Sequence, residues 1–306
     1  MKFPFLLLIV LLATYPVYAQ KQVAITIDDI PNTKNEGVSV QFLKELDNLQ
    51  IPIAIFINEN RIYHSDTIIG NYALLNEWAK RTYVTLGNHS YSHLRYSKVG
   101  YEEFSRDVIK GEVITNELAK KYHKELQYFR FPYNDLGKDS IQSDSIKTFL
   151  KKNHYTITPF TIESADWLFN ELYIHYLNKN LTEDAKRVAN AYIEYTVSLF
   201  KHFENSSLSN YGRHIKHIYL CHDNLLNAHY LKELITKLKD QGYSFISLDN
   251  AMRDNIYNAT NYYHGKWGFS WIYRWMKDKS ERSRLMRSEP SMMDIYEEHQ
   301  KIMTKK

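Results

Sequence analysis

Seven short apolar runs rich in β-branched residues recur along the chain, at 23–28, 51–58, 82–87, 126–131, 155–162, 217–221 and 244–248. Runs such as VAITI and IPIAIFIN are almost continuously apolar, as strands covered on both faces are. Amphipathic stretches lie between them. VSVQFLKELDNLQ (38–50) places apolar residues at 38, 42, 43, 46 and 49, the three-and-four spacing of one helix face. The same spacing predicts helices over 70–81, 101–122, 140–152 and 228–242, with Gly242 placed as a C-terminal cap. Strand followed by helix, about seven times over, predicts a parallel α/β fold, as either a closed or nearly closed barrel or an open doubly wound sheet. Two segments break the rhythm: a mostly helical stretch at 171–216 and an aromatic tail at 251–306 containing YYHGKWGFSWIYRWM. Both read as additions to one barrel rather than as second domains.

The polar residues gather where such a fold does its chemistry. The predicted strands end in Asp28-Asp29, in GNHSYSH (87–93), in FRFPYND (129–135), in IESADW (162–167) and in LCHDN (220–224). In parallel α/β folds the active site forms at the C-terminal strand ends, so five segments deliver Asp, His, Arg, Glu and His to one rim. His89 and His93 stand four apart, and on a helical turn they would share a face. Two histidines and one carboxylate, with coordination positions left open, make a hydrolytic rather than a structural metal site. With thirteen histidines in the chain, a lone pair would carry little weight. His214 and His217 have metal-compatible spacing too, but they precede the sixth predicted strand, at the opposite end, and read as surface residues. Cys221 alternates away from His222 and reads as core.

Composition narrows the classes. A formal net charge of +4, spread without a basic block, argues against a nucleic-acid partner. No GxGxxG or GxxxxGK[ST] loop is present, which argues against a nucleotide fold. The single cysteine excludes an internal disulfide and a cysteine zinc cluster. Lys2, the apolar run behind it and Val17-Tyr18-Ala19 before Gln20 form the pattern of a signal peptide cut after Ala19. The run is short for a full membrane span of about 20 residues. Residues 1–19 are therefore expected to be removed on export to a periplasmic or extracellular location, with no stable membrane insertion afterwards.

TIDD (26–29), HSYSH (89–93), RFPY (130–133), ESADW (163–167) and LCH (220–222) resemble, in order, the five motifs of the polysaccharide deacetylases, the carbohydrate esterase family four proteins. The resemblance covers roughly 22–250 and implies a distorted (β/α)7 barrel, here with a helical insertion (171–216) and a helical C-terminal extension (251–306). It implies a metal-dependent hydrolase that removes N- or O-linked acetyl groups from an acetylated glycan. One divalent metal is expected, zinc first, with cobalt, nickel or manganese as alternatives. Carried over residue by residue, Asp29, His89 and His93 match the metal triad, and Asp28 the catalytic base. Arg130 matches the residue that holds the base, Tyr133 the backbone oxyanion donor and His222 the catalytic acid. Leu220 matches the lining of the acetyl pocket, and Trp167 an aromatic wall. The carboxylate that orients the acid is expected at Glu163, with Asp166 as a substitute partner. Ile30 stands on a loop where the family pattern has glycine, and is expected to mark a difference in what is bound. Other readings are an amide hydrolase or deformylase on the same fold, or a non-catalytic glycan-binding protein. The aromatic tail is expected to pack on the barrel, with a place in the substrate groove as the alternative.

Overall fold

The computed structural model describes residues 20–33, 37–64 and 67–303. The expected signal peptide at 1–19 lies outside them. Among the described residues, no helix is long and apolar enough to cross a membrane.

Eight strands form one parallel sheet: β1 (Lys21–Ile30), β2 (Ile53–Ile57), β3 (Val84–Asn88), β4 (Tyr128–Phe129), β5 (Thr156–Ile157), β6 (Ile162–Glu163), β7 (Lys216–His222) and β8 (Tyr243–Phe245). Their order is β5-β4-β3-β2-β1-β7-β6, with β8 on the N-terminal end of β1. The sheet is thus the curled, incompletely closed (β/α)7 barrel that the family resemblance implies, not the open doubly wound sheet that the strand–helix pattern also allowed. Its two ends are β5 and β6, and among the described residues no ladder joins them. The single strand expected at 155–162 is split at this seam, where Pro159 offers no N–H to continue a ladder.

Helices cover the sheet. They are α1 (Val38–Leu49), α2 (Ile68–Ala79), α3 (Tyr96–Val99), α4 (Tyr101–Lys110), α5 (Val113–Lys121) and α6 (Ser140–Lys152) in the first half. The second half adds α7 (Asp166–Asn178), α8 (Thr182–Tyr211), α9 (Leu225–Asp240), α10 (Leu248–Met252), α11 (Trp271–Arg274), α12 (Lys279–Arg287) and α13 (Met293–Met303). Apolar spacing located α1, α2, α6 and α9 to within a few residues. The helix expected over 101–122 is two helices, because the chain turns at Gly111. A Cβ there would lie 2.5 Å from the backbone of Ser90 and Tyr91, so only glycine lets this turn press against that loop. The expected insertion at 171–216 is the end of α7 and the long α8, which stops at Gly212 in the left-handed region (φ 66).

Strands β1, β2 and β7 are buried almost throughout, as their continuous apolar content requires. Two expectations are corrected here. Ile30 is fully buried and forms the last residue of β1, paired with Ile57, so it belongs to the core and not to a substrate loop. His217 is buried too. Its ring Nδ1 meets Thr161 Oγ1 at 3.0 Å, and burial lowers its pKa to about 3. A neutral histidine with a hydroxyl partner fits a strand interior, whatever its distance in sequence from His214.

Candidate metal and catalytic site

A strand aims successive side chains at opposite faces, yet Asp28 and Asp29 reach the same cavity. The pairing explains how. Between Ile27 and Ile30 strand β1 advances three residues while β2 advances two, from Ile55 to Ile57. This is a bulge, and Asp29 takes it up with φ 67. Asp28 keeps its register on the other side, opposite His222 of β7. The two aspartates therefore have different neighbours.

Asp28 is buried with Arg130, whose Nη1 donates to its Oδ1 at 2.8 Å. Arg130 is fully buried inside the barrel. It also donates to Thr26 Oγ1 (2.7 Å) and Pro159 O (3.2 Å), and lies 4.3 Å over the Phe56 ring. These partners satisfy a guanidinium that would otherwise be costly to bury. Burial pushes the Asp28 carboxyl above its ordinary value, with Arg130 and His222 only partly countering it. With Oδ1 anchored on Arg130 and Oδ2 3.7 Å from His89 Nε2, the carboxylate is placed to accept a proton on Oδ2.

Asp29 stands with two imidazoles. His93 Nε2 is 3.4 Å and His89 Nε2 3.8 Å from its Oδ1. One ligand atom from each residue falls within 4.8 Å of the others. Asp29 Oδ1 is buried and has no hydrogen-bond partner, while Arg61 holds Oδ2 at 2.7 Å. His89 Nδ1 lies 2.8 Å from the Arg130 carbonyl. That acceptor fixes the proton on Nδ1 and leaves Nε2 with its lone pair toward the cluster. Burial lowers both histidine pKa values to about 4, so both rings are neutral, the ligating form. Burial works to raise the Asp29 carboxyl, but Arg61 and the nearby histidines outweigh it and hold it well below the ordinary range. An orphaned carboxylate oxygen facing two neutral nitrogens fits a divalent cation.

The two histidines do not meet on a helical turn as expected. Residues 89–95 are irregular, and Ser90 (φ 62) and His93 (φ 56) bend the loop. Side chains hold it in place of helical hydrogen bonds. Asn58 Nδ2 donates to His89 O (2.6 Å), Asn88 Oδ1 accepts from Ser90 N (2.7 Å) and Asp107 Oδ2 accepts from Ser92 N (3.0 Å). Tyr133 also has positive φ (57), with its ring 4.6 Å from that of His93. Backbone strain of this kind gathers at functional sites.

His222 Nδ1 lies 2.7 Å from Asp166 Oδ1, and its backbone N–H donates to Oδ2 at 2.8 Å. Asn224 and Asn227 donate to the same carboxylate. Burial disfavours the charged ring, but the Asp166 charge and hydrogen bond, with Asp29 and Asp28 beyond, raise it to about 10. The orienting carboxylate is therefore Asp166. Glu163 is displaced from that part because its Oε1 caps the Ala165 N–H at 2.6 Å. Burial and the Asp166 charge push Glu163 up to about 7. Helix α8 supports the pair from behind: the Tyr192 hydroxyl donates to Asn227 Oδ1 at 2.7 Å.

Asp28, Asp29, His89, His93 and His222 line one cavity of about 700 Å3, together with Leu220, Trp167, Glu163 and Tyr133, while Arg130 and Asp166 hold Asp28 and His222 from behind. Asp223, Arg61 and Trp267 are among the lining residues that sequence reasoning did not single out. Asp223 follows His222 directly and is held by Asn32 N (3.0 Å) and by the Ser39 hydroxyl. Arg61 carries no motif at all. Trp267 lies in the tail, where its only signal was aromatic content.

Comparisons with known proteins point to one family. The family model described as polysaccharide deacetylase matches residues 17–157, which hold the triad, Asp28, Arg130 and Tyr133; Asp166 and His222 lie beyond it. A peptidoglycan-N-acetylglucosamine deacetylase of Bacillus cereus is 25% identical over 150 residues, 49% of this chain and 48% of that one. The chain thus aligns with about half the length of this curated relative. Among solved structures, a family 4 carbohydrate esterase of Bacillus subtilis superposes with TM-score 0.51 at 19% identity, covering 76% of this chain and 81% of that chain. A family 4 pseudoenzyme of Bacillus anthracis gives 0.52 at 16%, covering 76% of this chain and 66% of that chain. At such identities the likeness is one of fold.

Proposed function

We propose, from the match of residues 17–157 to the polysaccharide deacetylase family model, that this protein is an active, metal-dependent hydrolase that removes acetyl groups from a glycan. One observation carries the reading. A buried Asp28–Arg130 pair, the Asp29–His89–His93 cluster and an Asp166–His222 pair open on one cavity. A binding protein on this scaffold needs none of these three arrangements.

Asp29, His89 and His93 would hold the metal, zinc or another divalent ion. Bound there, it supplies Lewis acidity toward a carbonyl oxygen and toward water. Asp28, anchored through Oδ1, accepts the proton of the attacking water on Oδ2. The Tyr133 N–H donates to the oxyanion that develops on the acetyl carbonyl. His222, kept charged by Asp166, gives the proton on Nε2 to the leaving amine or alcohol. Leu220 and Trp167 line the acetyl pocket and its wall.

The glycan is proposed to be built of N-acetylhexosamine, by analogy with the Bacillus cereus relative. The N-terminal pattern supports export to the periplasm or the exterior after cleavage behind Ala19. Asp28→Asn and His222→Ala, each assayed for acetate release with metal content measured alongside, test the assignment. Each should lose about 100- to 10,000-fold in rate with metal retained. Full activity in both would overturn it.

A further inference from the structure

The barrel's open seam lies between β5 and β6, and the chain closes it with residues from its C-terminal extension. Trp271 N–H donates to Phe160 O at 3.0 Å and Ser270 Oγ to Thr161 O at 2.7 Å, both carbonyls being in the gap. The Trp271 side chain packs against the main core and also against the separate cluster around Phe129, Phe131 and Tyr155. The extension thus joins two halves of the molecule that no strand ladder joins there.

The same segment reaches the site. A Cβ on Gly268 would lie 1.9 Å from Tyr133 O, so the tail backbone rests directly on the turn that carries Tyr133. Arg274 is fully buried among Tyr263, Phe269 and Trp271. Its Nη2 donates to Asn134 O (3.0 Å) and to Trp267 O (2.6 Å), tying the two segments together. Between these anchors, Trp267 is left 62% exposed and lines the catalytic cavity, as does Trp167, 49% exposed. A buried aromatic would be explained by packing. An exposed indole whose backbone is held by a buried arginine is not.

We propose that the C-terminal extension is part of the active site. Trp267 is a glycan-stacking residue that extends the groove beyond the reacting sugar, and Arg274 and Gly268 position it against the Tyr133 turn. This rests on the acetylated-glycan reading. The apolar faces of pyranose rings present C–H bonds, which meet an indole face favourably while their hydroxyls stay in water. A cavity of about 700 Å3 falls in the range that encloses ligands larger than one sugar ring. The occupant is an oligosaccharide that presents one pyranose face to the Trp267 indole.

The test is calorimetric binding of N-acetylglucosamine oligomers of one to six units. The full metal-loaded chain carries Asp28→Asn to stop turnover, with and without Trp267→Ala. Acetate release by the chain with native Asp28 is measured in parallel. Trp267→Ala should weaken binding of the longer oligomers about tenfold, the scale of a buried aromatic anchor, and leave the monomer unchanged. Arg274→Lys should show the same length-dependent loss and also a lower kcat, since it disturbs Asn134 beside Tyr133. A loss in Trp267→Ala that is equal at every oligomer length, no loss at all, or no oligomer binding before that substitution, overturns the inference. Trp267-dependent binding without acetate release by the native site would sink the hydrolase reading and leave this one standing.

Discussion

Replacing Asp166 with Asn removes one charge from behind His222 and little volume. The carboxylate is fully buried and accepts from His222 Nδ1 at 2.7 Å, the His222 N–H at 2.8 Å, Asn224 Nδ2 at 2.8 Å and Asn227 Nδ2 at 2.6 Å. At an effective dielectric constant of about 20, unit charges about 4 Å apart attract by about 4 kcal/mol, which is roughly three pH units of proton affinity. That accounts for an imidazole raised to about 10 in spite of burial. Without the charge, burial should carry His222 back to 6.5 or below. The alkaline limb of kcat against pH should then move down by about three units or more, and kcat at pH 8 should fall by about 30-fold or more, as the protonated fraction falls. Metal content should not change, because Asp166 makes no contact with the triad. The assay is acetate release across pH 5 to 10, with bound metal quantified at each point. An unmoved alkaline limb with a rate within a few-fold of the unsubstituted protein would refute the assignment of His222 as the acid.

Three further outcomes follow. Arg130→Met leaves Asp28 buried without its cation and should cost about 3–5 kcal/mol in urea unfolding; a loss below about 1 kcal/mol would mean the pair is not truly desolvated. Gly111→Ala drives a Cβ into the Ser90–Tyr91 backbone. It should cost about 1–3 kcal/mol and lower metal affinity through the His89–His93 loop, whereas unchanged affinity in competition titrations would uncouple that turn from the site. The folded pKa of His222, about 10, lies above its unfolded value. Its contribution to stability is therefore fully present below about pH 6.5 and is lost as pH rises toward 10. Unfolding free energies at pH 6 and 9.5 should differ more in the unsubstituted protein than in Asp166→Asn, and equal slopes would contradict the linkage.

The parallel strands were legible because, when buried, they leave near-continuous apolar runs, and the helices because one face of each is apolar; closure into a barrel came only with the family resemblance. Short strands were harder. Two-residue β4, β5 and β6 carry no periodicity of their own, and the seam at Pro159 became visible only through pairing. The chemical residues were legible as strand-end motifs, but their geometry was not. The bulge at Asp29 and the irregular loop at His89–His93 come from backbone conformations that sequence spacing does not encode. Spacing also could not choose between Glu163 and Asp166. That choice depends on Ala165 at φ 50, which caps Glu163 and starts α7 with Asp166 turned toward His222. Ile30 misled because a residue at the end of a motif was taken for a loop residue, while the bulge returns it to the core. Trp267 and Arg274 act from a hundred residues beyond Asp166 and the β5–β6 seam, a tertiary relation with no local signature.

The central claim, that this cavity hydrolyses acetyl groups with a metal at Asp29, His89 and His93, is tested most directly by one titration. Acetate release from an N-acetylglucosamine oligomer is measured for the full chain as isolated, after chelation, and during stepwise return of Zn2+ or Co2+. Activity should vanish on chelation and return in proportion to metal up to one ion per chain, with His89→Ala neither binding nor recovering. A metal-loaded chain that fills the site stoichiometrically and releases no acetate from any acetylated glycan would contradict the account.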